Sequence, residues 1–78
     1  MKKCPVGTVV QSFLFDRRFW SWAEAVAWLR AHEAAGREID VKEKTFRARQ
    51  IEPSKFRKGS FRTIEISGGI QAVIGCPK

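Results

Sequence analysis

Few residues of this 78-residue chain have the type and spacing that catalysis asks for. A nucleophilic site needs Ser, Cys or Thr beside a base, and a third group to orient that base. The single histidine, His32, falls at the end of an expected helix. There a solvated or capping imidazole near Trp28 is the plain reading, because cations suit helix C-termini. Asp16, Asp40, Glu43, Glu52 and Glu65 show no spacing that sets two carboxylates on one face for acid–base work. Gly68-Gly69 does not open a helix, so no phosphate-cradling loop is present. Cys4 and Cys76, each followed by proline, match no zinc spacing, and one histidine does not complete a metal site. They would bridge end to end if the first and last strands were antiparallel neighbours; a reducing cytosol favours free thiols instead. The expectation is a chain that is not an enzyme and has no metal or cofactor.

The chemistry that stands out is cationic. Net charge is +7, and nearly all of it lies in one stretch. Residues 1–41 carry six Lys/Arg against five Asp/Glu, and residues 63–78 balance at zero. Residues 42–62 carry eight (Lys42, Lys44, Arg47, Arg49, Lys55, Arg57, Lys58, Arg62) against Glu43 and Glu52. Such clustering gives a small domain a positive field on one side.

These cations have to be placed by a single domain, residues 1–78, since the length allows no second one. The 44% hydrophobic content fits a folded core, with three Trp and six Phe supplying much of its burial. No run reaches the ~18 apolar residues of a membrane span, and no apolar stretch follows Lys2-Lys3 as in a secretory signal. A cytoplasmic location, without membrane attachment, is the expectation.

Gly7 to Phe15 reads as a strand with apolar residues on both parities, hence a central one. Ser21 and Glu24 form a capping box ahead of a helix expected over Trp22 to Ala35 and stopped by Gly36. Trp22, Ala25, Val26 and Leu29 have the spacing of its buried stripe, leaving the small Ala23, Ala27, Ala31 and Ala34 outside. Ile39 and Val41 are apolar at odd positions, Phe46 and Ala48 at even ones. The phase therefore changes at Lys42-Glu43-Lys44, through a turn or a bulge. Pro53 ends pairing, and a basic loop around Phe56 runs to Gly59. Ser60 to Ile66 and Ile70 to Gly75 make a hairpin about Gly68-Gly69. The class is α+β, in the order β-α-β(β)-β-β, an antiparallel-rich sheet with one helix packed on one face.

With Phe46 and Ala48 facing that helix beside Ile64, Ile66, Ile70, Ala72 and Ile74, Arg47 and Arg49 point to the other face with Phe61. Lys55, Arg57, Lys58 and Arg62 lie nearby on the loop and strand entry. Guanidinium groups beside an exposed ring suit single-stranded or irregular nucleic acid. Lys58-Gly59-Ser60-Phe61-Arg62 has the outline of an RNA-recognition strand but lacks its run of aromatics. The same face, with Val73 and Phe13 or Leu14, also suits a protein partner or a homo-oligomer.

Phe46-Arg47-Ala48-Arg49-Gln50, Pro53, Phe56, Gly59-Ser60-Phe61-Arg62-Thr63-Ile64 and Gly69-Ile70-Gln71-Ala72-Val73-Ile74-Gly75 together resemble a small phage and prophage module. Gln11-Ser12-Phe13-Leu14-Phe15-Asp16, Ala25, Trp28-Leu29-Arg30 and His32 extend the likeness to the first half. That module occurs alone or attached to head-assembly proteins of the prohead-protease-like kind. The resemblance implies a mobile-element origin and brings no catalytic residues. Binding of nucleic acid or a nucleoprotein is the first expectation. Docking on a phage or host protein, in assembly or in blocking a host defence complex, is the alternative.

Overall fold

A computed structural model describes Cys4, residues 7–32, Ala34 and residues 39–78. Strand β1 (Val9–Asp16) leads to helix α1 (Trp22–Ala31), then to β2 (Ile39–Val41) and β3 (Thr45–Arg49). A single 3-10 turn (Pro53–Lys55) precedes β4 (Arg62–Ser67) and β5 (Ile70–Gly75). The five strands form one antiparallel sheet in the order β2-β3-β1-β5-β4. The α+β class and the central place of the first strand stand as expected.

The phase change between Val41 and Phe46 is a reversal of the chain. Val41 pairs with Phe46 and Ile39 with Ala48, so all four share the helix side. Arg17 secures the turn, donating from its backbone N–H to the Lys44 carbonyl (3.0 Å) and from its guanidinium to that of Lys42 (2.8 Å). The other hairpin turns at Gly68-Gly69, and Gly69 has φ +78°, which an L side chain rarely adopts.

The core lies between α1 and the middle strands: Phe15, Ala25, Leu29, Phe46, Ala48 and Ile70, with Phe13, Trp20 and Trp28 packed against it. Trp28 meets Phe13 and Phe15 edge-on at 5.1 and 5.6 Å, a geometry the ring quadrupoles favour. Ser21 caps the helix, accepting from the Glu24 N–H (3.1 Å) while the Glu24 carboxylate accepts from the Ser21 N–H (2.9 Å).

Three expectations about packing change. Trp22 is 52% exposed, so the buried ridge is Ala25, Trp28 and Leu29. Trp20, ahead of the helix, rather than Trp22 packs against Phe15 (5.5 Å). The helix ends at Ala31, with His32 as its C-cap stacked on Trp28 (3.9 Å). The expected stop residue, Gly36, lies outside the described residues. Finally, Ile64 and Ile66 are 39% and 45% exposed. Ile64 pairs with Ala72 and so does lie on the helix side. The core under the helix is built on β3, β1 and β5 with Ile39 of β2 packed against it, and one helix about 10 Å wide does not also cover β4 at the other edge.

The cysteines also depart from expectation. Cys4 and Cys76 form a disulfide, Cα atoms 5.5 Å apart. The topology supplies the reason: β1 and β5 are antiparallel neighbours, with Val9 opposite Gly75, which brings Cys4, ahead of β1, beside Cys76, just after β5.

Candidate nucleic-acid interface

The register fixes what the face opposite the helix carries. One row runs Asp40, Arg47, Leu14, Gln71, Glu65 across all five strands, and the next holds Arg49, Ser12, Val73 and Thr63. Arg47, Arg49 and Phe61 therefore do belong to this face. They do not present one open surface, however, because the segment from Gln50 to Phe61 crosses from β3 to β4 over its Ser12–Gly75 end.

Gly75 shows how closely that segment approaches. A Cβ at this position would stand 2.7 Å from Phe56 Cδ2 and 3.0 Å from Phe61 Cδ1. Phe56 is buried at 3% exposure; Phe61, 5.2 Å away, is 39% exposed. Backbone bonds hold the segment. The Arg57 N–H donates to the Cys76 carbonyl (2.7 Å), the Lys78 N–H to that of Lys55 (2.9 Å), and Phe56 bridges Pro77. The Ser60 hydroxyl donates to the Arg57 carbonyl (2.7 Å) and accepts from the Cys76 N–H (3.0 Å). Ser60 thus serves the loop, and pairing in β4 starts only at Arg62.

Arg47 belongs to the support rather than to the surface. β1 bulges between Val10 and Ser12, and buried Gln11 fills the irregularity. The Gln11 amide donates to the Ile51 carbonyl (2.8 Å), and its Oε1 accepts from Ser12 (2.7 Å) and from Arg47 (3.0 Å). The carbonyl of Gln11 accepts from the N–H groups of Gln50 and Ile51 (2.7 and 3.2 Å). Polar groups taken from water in this way need those partners. Arg47 is half-buried as a result.

What remains is a basic lobe. Arg49, Lys55, Arg57, Lys58 and Arg62 are exposed, and Phe61 shows part of its ring among them. Among the described residues the only ion pair is Arg18–Asp16 (2.9 Å), at the other end of β1. Lys78, joined to Lys55 through the backbone, adds a cation that sequence reasoning did not include. Gln11 and Ser12 were missed as well; two polar residues inside an otherwise apolar central strand were the available signal.

The opposite end of the face differs in character. A shallow depression of about 230 Å³ is lined there by Leu14, Asp16, Thr45, Glu65, Gln71 and the ring of Phe19. Arg18 and its own backbone hydrogen-bond the Asp16 carboxylate and hold it below its ordinary value. Asp40 and Glu65 sit on opposite edge strands, about 19 Å apart at the usual strand spacing. His32 has its Nδ1 engaged with the Trp28 carbonyl (2.8 Å). No group of three His, Cys, Asp or Glu side chains able to hold a metal occurs among the described residues, and no described helix is long and apolar enough to cross a membrane.

No protein-family model, curated protein or solved structure matches this chain.

Proposed function

We propose that this chain is a non-enzymatic, phage-type binding module that engages single-stranded nucleic acid, free or within a nucleoprotein, through its basic lobe. The observation that carries the reading is the set of exposed cations, Arg49, Lys55, Arg57, Lys58 and Arg62, without ion-pair partners among the described residues. Lys55, Arg57 and Lys58 stand on a segment tied down by backbone bonds and the buried Phe56, and Arg49 and Arg62 flank it on β3 and β4. A cation already fixed in place loses less entropy on meeting a phosphate than one on a loose loop. Phe61 adds a ring on which a base stacks, a contact worth ~1–3 kcal/mol.

The resemblance to a phage and prophage module agrees with this role and with synthesis in a host cytoplasm. The Cys4–Cys76 bridge closes wherever conditions are oxidising. The test is binding of a labelled oligothymidylate by fluorescence anisotropy. Reversing the lobe with Lys55→Glu, Arg57→Glu and Lys58→Glu is expected to abolish binding. Lys42→Glu with Lys44→Glu, at the far turn, is expected to leave most of it. Equal binding by the lobe variant and the wild type would overturn the proposal.

A further inference from the structure

The sheet has two edges, and they are not alike. β2 is three residues long, with Asp40 and Lys42 about it, the short and charged form in which proteins protect an edge. β4 is six residues long, and all six are exposed. A strand with one face under a helix ordinarily alternates between buried and exposed; β4 does not, because α1 stops short of it. Its outer side therefore offers backbone donors and acceptors with no strand beside them among the described residues, in regular register from Arg62 to Glu65 and irregular between Glu65 and Ser67. Ile64, more than a third exposed, and Ile66, nearly half exposed, lie beside that edge.

We propose that the β4 edge takes an extended segment of an acidic protein as a sixth strand, at a site that adjoins the basic lobe and shares Arg57, Lys58 and Arg62 with it but not Arg49 or Lys55. Main-chain bonds would supply the affinity and alternate side chains the selectivity, as in other strand additions. The register states what the partner must carry. The residue opposite Ile64 is apolar, because it extends a face begun by Ala72; the irregularity between Glu65 and Ser67, where Ser67 rather than Ile66 pairs with Ile70, bounds the regular part of the edge. The residue opposite Arg62, and those beyond it toward Lys58 and Arg57, are acidic, because these cations are exposed and without ion-pair partners among the described residues. A second copy of this chain does not meet that demand. Each copy carries +7, and pairing like with like brings the excess charge together.

The probes are two synthetic peptides of alternating valine and threonine, one with glutamates at its N-terminal end and one with them at its C-terminal end. A lysine-ended peptide serves as control. Amide hydrogen exchange reads the site. One of the acidic peptides is expected to slow exchange across Arg62–Ser67 and the control is not. Ile64→Lys with Ile66→Lys, both on exposed positions, is expected to weaken that peptide by about tenfold or more. Arg62→Glu keeps the strand and is expected to do the same, while Lys55→Glu changes only oligonucleotide binding. The proposal is overturned if neither acidic peptide protects β4, or if the lysine peptide protects it equally. Self-association through β4, or protection of the Ile64–Ser67 amides by oligothymidylate, would also overturn it.

Discussion

Opening the Cys4–Cys76 bridge is the perturbation with the largest expected effect on the fold. The two cysteines are 72 residues apart in sequence, so the bridge closes almost the whole chain. In the chain-entropy description, a loop of that length removes enough freedom from the unfolded state to contribute about 4 kcal/mol. A chain of this size has a total stability of about 4–12 kcal/mol, so the bridge supplies a third of it or more. Each kcal/mol moves the melting temperature of such a domain by about 4–8 °C, which puts the loss at about 15–30 °C. The assay is urea and thermal unfolding followed by tryptophan fluorescence, with and without a phosphine reductant. Cys4→Ser with Cys76→Ala should reproduce the reduced protein. Thiol titration of the native protein should find no free thiol. If the reduced and bridged forms unfold within about 0.5 kcal/mol of one another, the reasoning that makes the bridge a main support of this shallow core is wrong.

Gly75→Ala places a methyl carbon against Phe56 and Phe61, and is expected to cost about 1–3 kcal/mol in urea unfolding and to loosen the basic segment, seen as faster exchange of the Arg57 amide. Arg47→Ala removes a donor from the buried Gln11–Ser12 cluster and should destabilise by about 1–3 kcal/mol. Arg49→Ala, on an exposed side chain, should change stability by no more than about 0.5 kcal/mol while weakening oligonucleotide binding. Ser21→Ala removes the helix cap and should cost about 1 kcal/mol. Hydrogen bonds to the Ser21 backbone and hydroxyl hold the Glu24 carboxyl below its ordinary 4.5. A carboxyl depressed in the fold binds its proton more readily when unfolded, so its contribution is full above the ordinary value and is lost as pH falls through the depressed one. Acid unfolding of Ser21→Ala should therefore show a shallower fall in stability below pH 4.5 than the wild type.

Much of the architecture was legible because single residues carried it. The switch from odd to even apolar positions between Val41 and Phe46 required a break in the strand, and Lys42 to Lys44 turned out to be a reversal. Ser21 and Glu24 fixed the start of the helix. Apolar alternation, however, reports which side a residue points to and not what covers it. Ile64 points to the helix side as its period demands and is still exposed. Arg47 and Arg49 read alike as alternating cations, yet only the bulge at Gln11 makes one of them a support. That bulge, and the crossing of the Phe56 segment over Gly75, depend on contacts distant in sequence. The bridge was hidden for a similar reason, since it follows from β1 and β5 being neighbours.

The most direct test of the basic lobe as a phosphate-binding surface is the salt dependence of oligothymidylate binding. Each neutralised phosphate of a single strand contributes about 0.7 to the slope of log affinity against log salt, so five lobe cations give a slope near about −3.5. Between about 50 and about 200 mM salt, affinity should then fall about 100-fold, and the triple reversal at Lys55, Arg57 and Lys58 should leave no measurable binding at either concentration. Absence of binding by the wild type at the lower concentration, or binding that salt does not weaken, would contradict the assignment.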